Sequence, residues 1–146
     1  MIFTIPKSHF AEQIRKLCIT RSRTENDETG LLKVIRSWIQ TNYPGISPKN
    51  FQFSRQYQSR REPPHNLRFE TLPIATNETI YYTIHAPSNG HLYRLVELTI
   101  GIAKTDPETV VGTVKMLHGK DNPENTKKKI RLTEDLYQRL SSYRSS

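Results

Sequence analysis

The chain lacks the residues that would cross-link it or carry it through a membrane. Cys18 is the only cysteine among 146 residues, so no disulfide can form within the chain, and a reducing compartment is expected. No apolar run approaches the roughly 18 residues of a membrane-spanning helix, because Glu97, Thr99 and Gly101 interrupt the longest one, 95–103. The N-terminal residues also lack the basic start and apolar core of a signal peptide. We therefore expect a cytoplasmic protein with no membrane partner.

The common signatures of cofactor and metal sites are also missing. The sequence contains no phosphate-binding loop, no dinucleotide-binding glycine motif and no nucleophile elbow. Its five histidines form no close pair with one another or with the cysteine, and four of them lie on separate segments: His65, His85, His91 and His118. Since zinc sites usually take closely spaced His and Cys ligands, we expect neither a metal nor a cofactor.

Apolar residues are scarce, and basic residues outnumber acidic ones. The apolar share of 34% is low against an average of roughly 45–50% that also counts glycine. A chain of 146 residues nevertheless suits one domain with a single core. The 22 Lys and Arg residues against 14 Asp and Glu give a net charge of +8 and a pI near 9.7. This balance favours a polyanionic partner, usually nucleic acid.

The spacing of apolar residues predicts an α+β fold. Residues 1–5 have the pattern of a short strand, and helices are predicted from Ser8 to Ile19 and from Thr29 to Asn42. Alternation of apolar and polar residues predicts a three-strand antiparallel meander, and weaker patterns predict two further strands. These segments are 79–86, 91–103 and 109–118 for the meander, and 51–58 and 67–72 for the further strands.

The C-terminal region is predicted as a loop, a strand and a helix. Residues 119–129 are polar, Ile130 and Leu132 suggest a last strand, and Thr133 is placed to cap a final helix. We expect one domain over residues 1–146, in which N-terminal helices pack on an antiparallel sheet of up to five strands. A C-terminal helix and a frayed tail at 141–146 complete the predicted architecture.

The densest positive charge lies between the second helix and the central hairpin. Within residues 49–68 the basic side chains outnumber the single carboxylate, Glu62, and the aromatic residues Phe51, Phe53 and Tyr57 are interleaved with them. The planar fork of arginine suits phosphate contacts, and exposed aromatic rings stack on bases. We predict a small, non-enzymatic RNA- or DNA-binding protein with an accessory or regulatory role. The predicted contact residues are Lys49, Arg55, Tyr57, Arg60, Arg61 and Arg68.

A second basic group, Lys127 to Lys129, precedes the predicted final helix. Together with the following IRLTEDLYQRL it resembles the opening of a ribbon-helix-helix unit, in which a basic strand leads through a Thr cap into an amphipathic helix. The resemblance covers this short stretch alone and assigns no base-reading residues. The other interpretation is an ordinary terminal helix packed on the sheet.

An enzymatic alternative depends on the register of the predicted hairpin. Pairing His85 with His91 across the turn brings the apolar residues of both strands to one face, apart from Arg94. The opposite face then carries polar and aromatic residues, namely Thr79, Tyr81, Thr83, His85, His91, Tyr93 and Glu97.

Such a face has the chemistry for cleaving RNA without a metal. Histidine serves as base or acid near neutral pH, and Lys or Arg stabilises the phosphate charge. The order of helices and sheet is similar, at the level of the fold, to small bacterial toxin endoribonucleases, although a fold alone does not assign a function. The alternatives are therefore a metal-independent endoribonuclease using His, Tyr and Glu of this face, and a protein-interaction module or subunit of a larger complex.

Overall fold

Three helices and one five-stranded antiparallel sheet make up the described part of the chain, which confirms the α+β class. The computed structural model describes residues 2–20, 30–47, 52–57, 74–117 and 122–143. None of the helices in these ranges is long and apolar enough to cross a membrane. In chain order the elements are β1 (Ile2–Ile5), α1 (Phe10–Thr20), α2 (Gly30–Asn42), β2 (Gln52–Tyr57), β3 (Ile74–Ser88), β4 (His91–Ala103), β5 (Val110–Met116) and α3 (Pro123–Ser142).

The sheet joins strands from opposite ends of the described chain. Its strand order is β1-β5-β4-β3-β2, and every neighbouring pair is antiparallel. The predicted meander is confirmed as β3-β4-β5, and β1 extends it beyond β5, with Ile2 opposite Thr113. A Cβ on Gly112 would collide with the ring of Phe3, so a glycine at this position of β5 lets the two strands pack closely.

The helices cover one face of this sheet. α1 packs on β3 and β4, α3 packs on β1 and β5, and α2 packs on α3. β3, β4 and β5 turn alternate apolar side chains toward the helices, and each helix adds an apolar stripe. Trp38 of α2 is fully buried, and its Nε1 donates a 2.9 Å hydrogen bond to the backbone oxygen of Leu132. The core includes Ile14, Leu31, Ile35, Trp38, Ile39, Ile80, Tyr82, Ile84, Leu98, Ile100 and Leu136.

Both N-terminal helices lie where the apolar spacing predicts them. α1 begins at Phe10, whose backbone N–H donates to the hydroxyl of Ser8 at 3.2 Å, as expected for an N-cap serine. α2 ends at Asn42, shortly before Pro44, which cannot continue a helix. Its buried face is the predicted one: Leu31, Leu32, Val34, Ile35, Trp38 and Ile39.

The C-terminal region differs from the prediction, because α3 begins at Pro123. Asn122 is the N-cap, and its side-chain oxygen accepts a 2.8 Å hydrogen bond from the backbone N–H of Asn125. Proline at the first helical position is favourable, since its missing N–H would have had no partner within the helix. The polar residues that follow therefore belong to a long helix instead of a loop.

The predicted strand at 130–132 and the predicted cap at Thr133 are accordingly wrong. Thr133 lies inside α3, where its hydroxyl donates to the backbone oxygen of Lys129 at 2.9 Å. The resemblance to a ribbon-helix-helix unit fails for the same reason, since its basic strand is helical here. The first half of α3 has no apolar residue before Ile130, so a helical period could not be read there.

The β3–β4 hairpin is longer than predicted and has a different register. Its turn consists of Asn89 and Gly90 alone, with φ angles of 50° and 79°, as tight two-residue hairpin turns require. β3 therefore continues to Ser88, which lies opposite His91. The predicted pairing of His85 with His91 is wrong for that reason.

A β-bulge in β4 changes which side chains share a face. Ile84 lies opposite Val96, but His85 lies opposite Arg94, so Leu95 is an extra residue in β4. Leu95 and Val96 are both buried in the core. Arg94 consequently lies on the side of the sheet opposite to the three helices, which we call the outer face. Its predicted place on the apolar face is corrected.

Candidate nucleic-acid interface

The N-terminal half of α3 carries a basic stripe. Glu124, Lys127, Lys128 and Arg131 have the spacing that places residues on one side of a helix. Together with Asn125 they line an open depression in the protein surface. We call the four cations of this half the α3 basic surface: Lys127, Lys128, Lys129 and Arg131.

The cations of the α3 basic surface lie apart from the ion pairs of the described ranges, although Glu124 borders the same depression. None of its four cations forms an ion pair with another described residue. Arg139, further along the same helix, shows the contrast, because its Nε lies 3.0 Å from Asp135 Oδ1. Cations without a carboxylate partner attract polyanions and are available for charge-assisted hydrogen bonds to phosphate.

An aromatic ring borders the α3 basic surface. The Nζ of Lys128 lies 4.6 Å from the centroid of the Tyr43 ring, a distance at which a cation is attracted to the face of an aromatic ring. Tyr43 is half-buried just after the end of α2, and burial, with a smaller effect from Tyr93, raises the pKa of its hydroxyl. The phenol is therefore neutral at physiological pH, so the charges of the depression are those of Glu124, Lys127, Lys128 and Arg131.

Polar contacts between α2 and α3 fix the helix that presents this surface. Asp135 accepts hydrogen bonds from Asn42 Nδ2 at 2.8 Å and from Arg139 Nε at 3.0 Å. Arg139 also donates to the hydroxyls of Ser37 and Thr41, each at 2.7 Å. These contacts, together with the buried leucines in the C-terminal half of α3, hold the basic half beside the end of α2.

The residues predicted from the sequence to bind nucleic acid are mostly outside the described ranges. For Arg55 and Tyr57 the structure gives the backbone position: they lie in β2, opposite Tyr82 and Ile80. The Arg-rich segment therefore stays a prediction. The residues of the predicted interface that lie outside the described ranges are Lys49, Arg60, Arg61 and Arg68.

The sequence contained part of the signal for the α3 basic surface. The sequence identifies Lys127–Lys129 as a basic group, but it predicts a loop before a strand at this position. Reading Lys127 and Arg131 at helical spacing would have joined them into one stripe. Tyr43 had no such signal, because its proximity to Lys128 arises from the packing of α2 against α3.

A row of polar residues crosses the outer face from β3 to β5. Thr83, Glu97 and Lys115 lie directly opposite one another in the register. Arg94 reaches the same carboxylate, with its Nη1 3.8 Å from Glu97 Oε1. Residues three apart along a regular strand point to opposite faces. The contact therefore depends on the bulge at Leu95, which places both side chains on one face.

Two residues of the predicted polar face are corrected. His91 is exposed at the hairpin tip, and Tyr93 lies opposite the buried Ala86 and packs against the core. Burial raises the pKa of the Tyr81 hydroxyl well above its usual value, so its phenol stays protonated at neutral pH. The residues that keep their predicted place on the outer face are Thr79, Tyr81, Thr83, His85 and Glu97.

The single cysteine does not have the environment of a nucleophile. Burial, with a smaller effect from the negative charge of Glu78, raises the pKa of the Cys18 thiol to about 12. The reactive thiolate is therefore scarce at neutral pH. In the part of the chain that the structure describes, no three His, Cys, Asp or Glu side chains are grouped so as to hold a metal ion.

The comparison with known proteins yields no relative of the chain: no family model, no curated protein and no solved structure matches it significantly. A functional assignment must therefore come from the chemistry and the placement of its own residues.

Proposed function

We propose that the protein binds RNA or DNA by contacting phosphates with basic side chains, in an accessory or regulatory role. The observation that carries the proposal is the α3 basic surface, with four cations between residues 127 and 131 and no carboxylate partner among the described residues. The net charge of +8 favours the same class of partner.

The geometry of the stripe suits a phosphate chain. Lys127 and Arg131 are one helical turn apart, which corresponds to about 6 Å along the axis, so two neighbouring phosphates fit one side of the helix. Both side chains are exposed, whereas Lys128 is half-buried against Tyr43. Lys127 and Arg131 are therefore the residues of this surface with the freest access to a ligand.

Salt dependence provides the test, because phosphate contacts release counterions. Binding of a short labelled RNA and of the matching DNA is measured by fluorescence anisotropy at several salt concentrations. The affinity of the unaltered protein is expected to fall steeply as salt rises. Replacing Lys127 and Arg131 together by Ala (K127A/R131A) should reduce the slope of log K against log salt by about 1.4–1.8, since each contact contributes about 0.7 on single strands and 0.9 on duplexes.

The matched control removes the same charge elsewhere. Lys33 on α2 and Lys104 after β4 are exposed, and K33A/K104A should leave the slope nearly unchanged. Equal weakening by both double variants would assign the effect to net charge alone and contradict a role for α3. An affinity that does not change with salt would contradict the proposal altogether. In a separate pull-down, a complex that survives nuclease treatment would indicate an acidic protein partner instead.

The Arg-rich segment is compared in the same assay. R55A/R60A/R61A is expected to lose more affinity than K127A/K128A/K129A, because the arginine fork makes two hydrogen bonds to one phosphate where lysine acts as a point charge. The opposite ranking would make the α3 basic surface the main interface and the segment an auxiliary one.

A further inference from the structure

We propose that the outer face of the sheet holds a metal-independent RNA-cleaving site formed by His85, Arg94, Glu97 and Lys115, which we call the outer-face cluster. The inference goes beyond binding, and it depends on the proposed function, because the protein must first hold RNA. It develops the endoribonuclease alternative of the sequence analysis, with Arg94 and Lys115 as the cations, and the non-enzymatic role stays a prediction. The cluster stands out because a β-bulge, instead of regular strand geometry, brings two of its members together.

The bulge determines where the guanidinium of Arg94 lies. In a regular strand, residues two apart point to the same face, so Arg94 would lie with Val96 on the face that the helices cover. On that face the guanidinium of Arg94 would lose its hydration. With the bulge, the side chain of Arg94 is 66% exposed, and its Nη1 lies 3.8 Å from Oε1 of Glu97, whose side chain is 28% exposed. Bulges are frequent beside functional sites because they aim a side chain in a new direction.

Arg94 neighbours both a histidine and a carboxylate. It is directly opposite His85 in the β3–β4 register, and opposite residues of an antiparallel pair have Cβ atoms about 4.5–5.5 Å apart. Along β4 it forms an ion pair with Glu97, which lies opposite Lys115 of β5. A phosphodiester that displaces Glu97 from Arg94 and binds the two cations would therefore have both the imidazole and the released carboxylate beside it.

These four side chains supply each function that RNA cleavage requires. The carboxylate of Glu97 removes the proton of a ribose 2′-hydroxyl while the 2′-oxygen forms a bond to phosphorus. The bond between phosphorus and the 5′-oxygen of the next nucleotide breaks, and the His85 ring acts as the acid that gives a proton to that oxygen. Arg94 and Lys115 stabilise the negative charge that develops on the other phosphate oxygens.

The step leaves no unbalanced atom or charge. The products are a 2′,3′-cyclic phosphate on one fragment and a free 5′-hydroxyl on the other. A proton then passes through water from Glu97 to His85, which restores both groups for the next cycle. Because the nucleophile is the 2′-hydroxyl of the substrate itself, RNA is the substrate class and DNA is not cleaved.

The experiment incubates the full chain with RNA in the presence of EDTA and identifies the fragment ends by mass spectrometry. We expect fragments that end in a 2′,3′-cyclic phosphate. A DNA strand containing one ribonucleotide should be cut only after that ribonucleotide, and its 2′-O-methyl counterpart should stay intact. Glu97→Gln and His85→Asn should each reduce the cleavage rate by about 10²–10⁴-fold.

His91→Asn is the matched control. His91 is exposed at the hairpin tip opposite Ser88, outside the outer-face cluster, so its replacement should leave the rate unchanged. Thermal unfolding of each variant shows whether its fold is retained, and if the Glu97 variant does not fold, the His85 variant carries the test. Cleavage that neither variant reduces would identify a contaminating nuclease and overturn the proposal.

The outcomes separate this inference from the proposed function. A protein that binds RNA and does not cut it retains the proposed function and loses the cleavage site. A protein that neither binds nor cuts RNA loses both. Support for both requires salt-dependent binding that K127A/R131A weakens, together with cleavage that Glu97→Gln and His85→Asn each reduce.

Discussion

The two halves of α3 have opposite relations to the rest of the molecule. From Leu132 onward the helix buries Leu132, Leu136 and Leu140, and polar contacts through Asp135 and Arg139 join it to α2. Before Leu132 the helix buries no residue and carries the α3 basic surface. Both halves have one continuous backbone, so the position of the basic half is set by packing that occurs elsewhere along the helix.

This difference shows that stability and ligand contact can be assigned to separate segments of one element. Most of the stability of a helix in a protein comes from tertiary packing of its apolar face. The anchored half supplies that packing, which leaves the composition of the basic half free for charge. Substitutions in the two halves are therefore expected to change different measurements.

The largest expected effect is a loss of stability from the anchored half. Leu136 is fully buried, so Leu136→Ala should lower the free energy of unfolding by about 2–5 kcal/mol, through lost burial and the cavity left behind. Urea unfolding measures this loss, and the folded fraction should keep its affinity for RNA. The control is Leu92→Ala at the hairpin tip, where the residue is 52% exposed and a change within about 0.5 kcal/mol is expected. Similar losses in both variants would show that the C-terminal half does not anchor α3.

A smaller effect is expected at the start of the basic half. Asn122→Ala removes the side-chain oxygen that accepts from Asn125 N–H at 2.8 Å, so the free energy of unfolding should fall by about 1 kcal/mol. Asn122→Gly should lower it by only a few tenths of a kcal/mol, about the usual difference for glycine at this position. Urea unfolding and helical circular dichroism measure both variants. A loss as large as that of Leu136→Ala would mean that the two halves unfold as one unit and would end the distinction between them.

The smallest effect on stability is expected from the charge itself. Lys127 is exposed and forms no ion pair with another described residue. Lys127→Ala should therefore change the free energy of unfolding by less than about 0.5 kcal/mol, while its affinity for RNA at low salt falls. Parallel unfolding and anisotropy measurements compare the two quantities. A substantial loss of stability without any loss of affinity would reverse the assignment of roles.

Much of the fold was predictable because the spacing of apolar residues in the sequence follows which side of a strand or helix is buried. β4 spans the predicted residues 91–103, and α2 buries the predicted face, since in both cases a packed surface repeats at the period of the element. The bulge at Leu95 was not predictable in this way. An apolar residue at position 95 fits either face, so the one sign of the interruption in the sequence is the charged Arg94 on the predicted apolar face.

The candidate sites were less predictable than the fold for a related reason. The first half of α3 has no buried face, and a helix that is polar on all sides leaves no period in the sequence. The outer-face cluster depends on a register that placed His85 opposite Arg94, whereas the predicted turn placed it opposite His91. A shift in the register of a hairpin changes which side chains meet, although the strands themselves are correctly located.

The pairing of β1 with β5 has a consequence for the order of folding. β1 is synthesised before all other described elements, but Ile2 cannot pair in the sheet until Thr113 has been synthesised. Contacts between residues so distant along the chain form slowly, because a long loop must close before they contribute. During synthesis, the apolar strand β1 therefore leaves the ribosome early and stays unpaired. The sheet is complete only after β5 has also emerged.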